Sequence, residues 1–306
     1  KYQEKNNQIS LRQRSLNEYS IPDTPNVEYV DLRLSNKCNF ACRSCEPIFS
    51  SRISKESNAH NLKDYYGYSL DKNYVEHTEQ ISNDIKEMIP KIKKLMFTGG
   101  EPTYIKQFYD ILDTCDTNIN LLITTNASMI DDKFLEYAKR FHNLHITLSI
   151  DAVGKSAEYI RYGSIWKTID QNIQKILSLK CSVMYNTVLS AYSVPYVESL
   201  VDYIIKNEQD AYGADMYICN YPQHLNPCVL PKEFRNYLTE QLNRSIVKLS
   251  NSKRAEDYYN AIQVLKSLIV QLDTDYRDNT KFKTFTDKLD TIRNQKYDYR
   301  DMWTNW

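Results

Sequence analysis

Glycine is scarce in this chain, with 6 residues in 306. Against that background the adjacent pair Gly99-Gly100 is not compositional noise; it marks a place where the backbone needs freedom. Wholly apolar runs are only a few residues long. They fall far short of a membrane span, so a soluble chain with no membrane partner is expected. Neither sign of charge is in excess: Lys plus Arg and Asp plus Glu number 39 each, and the formal net charge is zero. That excludes a global basic field and leaves no clear nucleic-acid signal. The opening KYQEKNNQIS lacks the apolar core of a signal peptide, and a start on Lys rather than Met leaves room for a short leader upstream. Internal repeats beyond a strand–helix period and low-complexity tracts are absent too. A paired cysteine framework is the last absence. The 7 cysteines are odd in number, and Cys38, Cys42 and Cys45 crowd together. This suits a reducing, cytoplasmic setting in which thiolates stay free for metal.

What is present is a hydrophobic fraction of 42%. At this length it can bury a large core, as one α/β domain or a domain with an appendage. Residues 1–27 are polar, end in IPDTPN and read as an arm. EYVDLRLS (28–35) alternates as a strand does. Residues 50–71 are polar and read as loop with short helix; 75–92 carries apolar residues at helical spacing up to Pro90. From there strands at 93–100, 119–126, 144–151, 181–190 and 214–221 alternate with helices at 103–115, 131–141, 164–179 and 194–207. Short connections between them imply parallel βαβ units. Six strands predict an α/β fold that is a partial (β/α)6 TIM-like barrel spanning 28–221, since a full barrel needs eight. After Pro231 the pattern is helical, so 222–306 reads as a helical C-terminal extension.

Cys38-Asn-Phe-Ala-Cys42-Arg-Ser-Cys45 follows the first predicted strand. Three thiolates so close converge on one centre only if the backbone loops around it. Soft ligands select zinc, Cu(I) or an iron–sulfur cluster. A structural zinc needs a fourth ligand, and the nearest histidine is His60 in a polar stretch. Three cysteines on a four-iron cluster would leave one iron open. The spacing alone leaves both readings standing.

C-x-x-x-C-x-x-C in this position resembles the signature of radical S-adenosylmethionine (SAM) enzymes. The resemblance continues with Thr98-Gly99-Gly100-Glu101-Pro102 at the end of the second strand, Thr124-Thr125-Asn126 at the end of the third, LSIDAVGKSAEYIRYGSIW (148–166) and Asn186 on the fifth. It covers about residues 28–221 and is closest to the subgroup with twitch or SPASM extensions. It implies a [4Fe-4S] cluster on Cys38, Cys42 and Cys45, with SAM chelated at the open iron. Gly99 and Gly100 would let the backbone approach the methionine end, with Glu101 supplying negative charge there. Ser149 and Asp151, at i and i+2, would meet the ribose, unless Asp151 caps the next helix. Arg161 would pair with the SAM carboxylate. Thr125, Asn126 and Asn186 would line the pocket, and Phe40 would stack near the adenine or pack beneath the cluster.

The implied function is reductive cleavage of SAM to a 5′-deoxyadenosyl radical that takes hydrogen from a peptide or small polar metabolite. Electrons would come from a low-potential donor of the flavodoxin or ferredoxin type. The rival is a non-catalytic metal-binding scaffold or sensor that keeps the fold. In the second half only Cys181, Cys219 and Cys228 remain, with no C-x-x-C pair. An auxiliary cluster is therefore not expected. The run Tyr221 to Pro231 and the closing KLDTIRN resemble a twitch-type extension whose helices replace a cluster as substrate lid, with His224 as a possible contact.

Overall fold

A computed structural model describes residues 27–68, 70 and 79–298. Six parallel strands form its central sheet: β1 (Tyr29–Leu32), β3 (Lys94–Phe97), β4 (Asn120–Thr125), β5 (Asn143–Ser149), β7 (Ser182–Leu189) and β8 (Gly213–Ile218), in the spatial order β1-β3-β4-β5-β7-β8. Between them stand the helices α3 (Glu79–Met88), α4 (Lys106–Leu112), α5 (Asp132–Arg140), α7 (Trp166–Leu177) and α8 (Val197–Lys206). This is the expected α/β architecture. The arm at 1–26 and the first residues of the helix predicted at 75–92 lie outside the described residues.

Alternation along the strands explains both faces. Leu121, Ile123, Ile146, Leu148, Val183 and Tyr185 are buried. The residues between them, among them Thr124, Ser149, Asn186 and Val188, are only half-buried and line a cavity. A period of two puts one set against the helices and the other toward the open face. Ser149 pairs in register with Asn186, so their side chains stand side by side.

Several elements are shorter than their sequence patterns or were absent from them. β1 stops at Leu32, because the chain leaves the sheet to build the cysteine loop. The polar stretch after that loop holds α1 (Ser51–His60) and α2 (Lys63–Tyr66). Ser50 starts α1: its hydroxyl accepts from Ile53 N at 3.3 Å and donates to Phe40 O at 2.7 Å. The cap thus ties helix to loop. Two short strands, β2 (Ala41–Cys42) and β6 (Arg161–Tyr162), form an antiparallel ladder apart from the main sheet, with Cys42 opposite Arg161. β6 follows α6 (Gly154–Ile160), inside the segment that carried the family-like motif.

The C-terminal stretch supplies α9 (Lys232–Ser250), α10 (Tyr259–Thr274) and α11 (Thr280–Arg293). α9 packs on α8 and α10, and α10 covers β8. α11 runs back to the cysteine loop. Phe282, Phe285 and Leu289 are buried along it, and Thr286 shares a 2.8 Å hydrogen bond with the Tyr192 hydroxyl. His224 also packs here: it is buried against Tyr65 and Phe285 rather than solvated.

Candidate active site

The cysteine loop is held from several sides. Arg43 N donates to Ile160 O at 2.8 Å, Ser51 N to Asn36 O at 2.7 Å and Cys45 N to Cys42 O at 3.2 Å. Between the second and third cysteines, the Arg43 side chain is fully buried. Its guanidinium donates to Tyr159 O (3.1 Å), Asp290 Oδ1 (2.5 Å) and Gln295 Oε1 (3.0 Å), and lies 3.8 Å from the Tyr159 ring centroid. Asp290 in turn accepts from the Tyr159 hydroxyl and from Tyr297 N, both at 2.9 Å. One turn further along α11, Arg293 pairs with Glu56 of α1 at 2.9 Å. Two ion pairs from the last helix therefore fix the loop and the helix that follows it.

All three loop cysteines are free thiols, half-buried and open to one cavity. Each sulfur's surroundings bear on its charge. Phe40 N lies 3.4 Å from Cys38 Sγ, Asn126 Nδ2 lies 3.9 Å from it, and Arg161 Nη1 lies 4.0 Å from Cys42 Sγ. Burial, and then the neighbouring Cys42, push the Cys38 thiol up to about 12. Burial raises Cys42 and Cys45 as well. At neutral pH the thiols hold their protons, which a metal centre bound there would displace. The N–H donors would then face negatively charged sulfurs. Among the described residues, no three His, Cys, Asp or Glu side chains close on a single metal ion.

Gly99 and Gly100 have φ of 73° and 52°, in the left-handed region. A Cβ on Gly100 would stand 2.4 Å from Lys37 O and 2.9 Å from Ser35 O. The close approach that demands glycine is thus to the cysteine loop, a reason the sequence did not show. Glu101 also has partners within the protein. It is fully buried, and its carboxylate accepts from the hydroxyls of Thr103 and Thr125 (2.7 Å each), from Asn126 N (2.6 Å) and from Thr103 N (3.3 Å). Burial raises its carboxyl pKa while these donors lower it. With its oxygens so engaged, the side chain braces the end of β3 against the end of β4. Glu101 N donates to Lys37 O at 2.9 Å, binding that brace to the loop.

The cavity measures about 430 Å³, within the range of small-molecule sites. The residues expected to hold the cluster or SAM all line it: Cys38, Phe40, Cys42, Cys45, Gly99, Gly100, Glu101, Thr125, Asn126, Ser149, Asp151, Arg161 and Asn186. Asp151 caps no helix. It accepts from Val188 N at 2.9 Å and pairs with Arg161 Nη2 at 2.9 Å. Two buried polar atoms in the wall have no partner in the protein, Arg161 Nε and Asn186 Oδ1. One is a donor, the other an acceptor, and buried groups of this kind are completed by water, an ion or a ligand. Phe40 is 2% exposed, so most of its ring packs beneath the loop. Arg33, Glu46, Phe49 and Val188 also line the cavity and were not anticipated. Arg33 and Val188 sit on predicted strands, where alternation could have found them. Arg43 had no local signal.

A family model described as the Radical SAM superfamily matches residues 32–197, more than half of the chain. The chain belongs to the radical SAM superfamily. Its enzymes use an iron–sulfur cluster and SAM, and the thiol trio and unpartnered wall atoms fit that pair of groups. Among curated relatives, a radical SAM cyclopropyl synthase, TigE of Paramaledivibacter caminithermalis, is 29% identical over 58% of this chain and 39% of its own length. A GTP 3′,8-cyclase of Campylobacter lari is 25% identical over 53% of this chain and 47% of its own. The chain thus spans less than half of these relatives. Two solved structures share the fold. Streptococcus suis SuiB bound to precursor peptide SuiA has a TM-score of 0.50 and 17% identity, covering 73% of this chain and 46% of SuiB. Native anSMEcpe with bound AdoMet has a TM-score of 0.51 and 15% identity, covering 77% and 63%.

Proposed function

We propose that this radical SAM protein holds a [4Fe-4S] cluster on Cys38, Cys42 and Cys45 and cleaves SAM reductively in the adjoining cavity. The observation that carries this reading is the convergence of three free thiols with two buried, unpartnered polar atoms on one cavity wall. A cluster held by these cysteines would supply the electron for reductive cleavage of SAM to methionine and a 5′-deoxyadenosyl radical, which would take hydrogen from substrate. The chain's own residues do the positioning. Arg161 Nε is a donor suited to the SAM carboxylate, and its Nη2 stays locked to Asp151. Asn186 Oδ1 is an acceptor suited to an ammonium or hydroxyl group. Ser149, beside it, offers a hydroxyl to the ribose. Glu101 acts indirectly, by holding the strand ends and the loop together.

The substrate is a peptide or a small polar metabolite. SuiB bound to its precursor peptide supports the first and the GTP cyclase relative the second. Residues 222–306 act as a twitch-like lid, in support of which α11 closes on the cysteine loop. A flavodoxin or ferredoxin in the cytoplasm is the electron source; among the described residues no helix is long and apolar enough to cross a membrane.

Anaerobic reconstitution with iron and sulfide tests the reading. A brown protein absorbing at about 400 nm that yields 5′-deoxyadenosine from SAM and dithionite is expected, and Cys42→Ala loses both properties. Colourless protein holding zinc, or SAM cleavage retained in Cys42→Ala, overturns it.

A further inference from the structure

Three carboxylates line the cavity: Glu46, Glu101 and Asp151. Two are satisfied within the protein, Glu101 by its hydroxyl and backbone donors and Asp151 by Arg161 and Val188 N. Glu46 is not. Its side chain receives one hydrogen bond, from the Tyr68 hydroxyl to Oε2 at 2.9 Å, and among the described residues no cation pairs with it. Its backbone is fixed, because Glu46 O accepts from Phe49 N at 3.0 Å and from Ser50 N at 3.2 Å. A half-buried carboxylate is thus held in place with Oε1 uncommitted.

Glu46 also stands apart from the residues assigned to SAM. Ser149 and Asn186 come from the inner strands β5 and β7, whereas β1 and β8 are the edges of the sheet. Contacts bridge those edges near Glu46. Tyr221, just past β8, donates to Tyr66 O at 2.9 Å, two residues before Tyr68. Cys219, also past β8, has its thiol raised by burial first and then by Asp151, and the Glu46 charge acts in the same direction. The carboxylate therefore reaches the cavity from the side where the partial barrel is open.

We propose that Glu46 is a specificity residue that receives a cationic group of the substrate, a primary ammonium or a guanidinium. The proposal rests on the SAM-cleavage reading above and narrows its substrate class. A charged N–H donor forms a short, charge-assisted bond with a carboxylate, and an uncharged or acidic group in that place gains none. Tyr68 holds the acceptor in position before the ligand arrives, which lowers the ordering cost of binding.

The test measures binding, apart from turnover. The reconstituted protein, with SAM and no reductant, is dialysed against N-acetyl-lysine methylamide and its norleucine and glutamate counterparts. The lysine derivative binds about tenfold more tightly than the norleucine one. Glu46→Gln keeps the size of the side chain and an acceptor for Tyr68, and abolishes that difference. Glu46→Lys moves the preference to the glutamate derivative. Pentylammonium, which lacks the amide groups, distinguishes the source: competition equal to the lysine derivative assigns the cation to a small amine, and weaker competition assigns it to a peptide. Equal binding of the three derivatives by wild type overturns the proposal, as does a lysine preference that survives in Glu46→Gln. A loss of SAM affinity of about tenfold in Glu46→Gln also overturns it, by assigning the carboxylate to SAM. Those outcomes leave the SAM-cleavage reading standing so long as the wild type colours on reconstitution and yields 5′-deoxyadenosine. A wild type that takes up no cluster removes both.

Discussion

Asp290→Asn keeps the shape of the side chain and removes one charge from a pair that water does not reach. Arg43 is 0% and Asp290 4% exposed, and their atoms lie 2.5 Å apart. Asp290 also receives the Tyr159 hydroxyl and Tyr297 N, so its oxygens serve three donors. Removing one partner of a buried pair costs about 3–5 kcal/mol, because the other charge is left in a medium that cannot solvate it. Asparagine retains one acceptor oxygen, which places the cost near the lower end, about 3 kcal/mol. Arg43→Met costs a similar amount by leaving the carboxylate unpaired. The double variant Arg43→Met/Asp290→Asn removes both charges, so its loss falls well short of the sum. A double-mutant cycle by urea unfolding of the cluster-free protein measures this, with a coupling energy of about 2 kcal/mol or more expected. Alkylation of Cys42 and Cys45 speeds up in Asp290→Asn, because the loop between them loses its anchor. Additive losses, or an Asp290→Asn variant within about 0.5 kcal/mol of wild type, would show that the last helix does not secure the cysteine loop.

Arg161→Ala leaves the cluster's absorption in place and weakens SAM binding about tenfold or more, measured by equilibrium dialysis; unchanged affinity assigns Arg161 to packing alone. Gly100→Ala meets Lys37 O in a left-handed backbone, so the urea midpoint falls by the equivalent of about 2 kcal/mol or more, and a neutral result rules out the close approach. His224 has its pKa lowered to about 4, first by burial and then by Lys281. The unfolded chain takes up this proton near pH 6.5, so the neutral ring's stability contribution is whole above that pH and is lost as pH falls toward 4. Between pH 6.5 and 4.5 the wild type therefore loses about 2 kcal/mol more than His224→Gln in unfolding experiments. Parallel pH curves would assign the loss to other groups.

Much of the site was legible because its parts are local. Each motif sits at the end of a strand whose alternation is visible, and parallel strands bring their C-terminal ends to one side of the sheet. Strand order puts residues as far apart as Cys38 and Asn186 on one side of the sheet, and the family resemblance assigned them to one pocket. What the motifs do inside that cavity was not local. Glu101 is a free charge when read as a motif and a brace when its four donors are seen. Gly100 answers to Lys37 O, 63 positions earlier.

The chain's order of apolar and polar residues, its short connections and its cysteine spacing were enough for an α/β sheet of six strands and a thiol centre at its edge. Those properties follow from contacts within a few residues, where side-chain period and turn chemistry act. Folding in three dimensions decided that two-residue β2 finds β6, setting Cys42 against Arg161. It also decided that α11 returns to hold Arg43 through Asp290. Neither pairing leaves a periodic trace, because each depends on two segments meeting only after the sheet between them has formed.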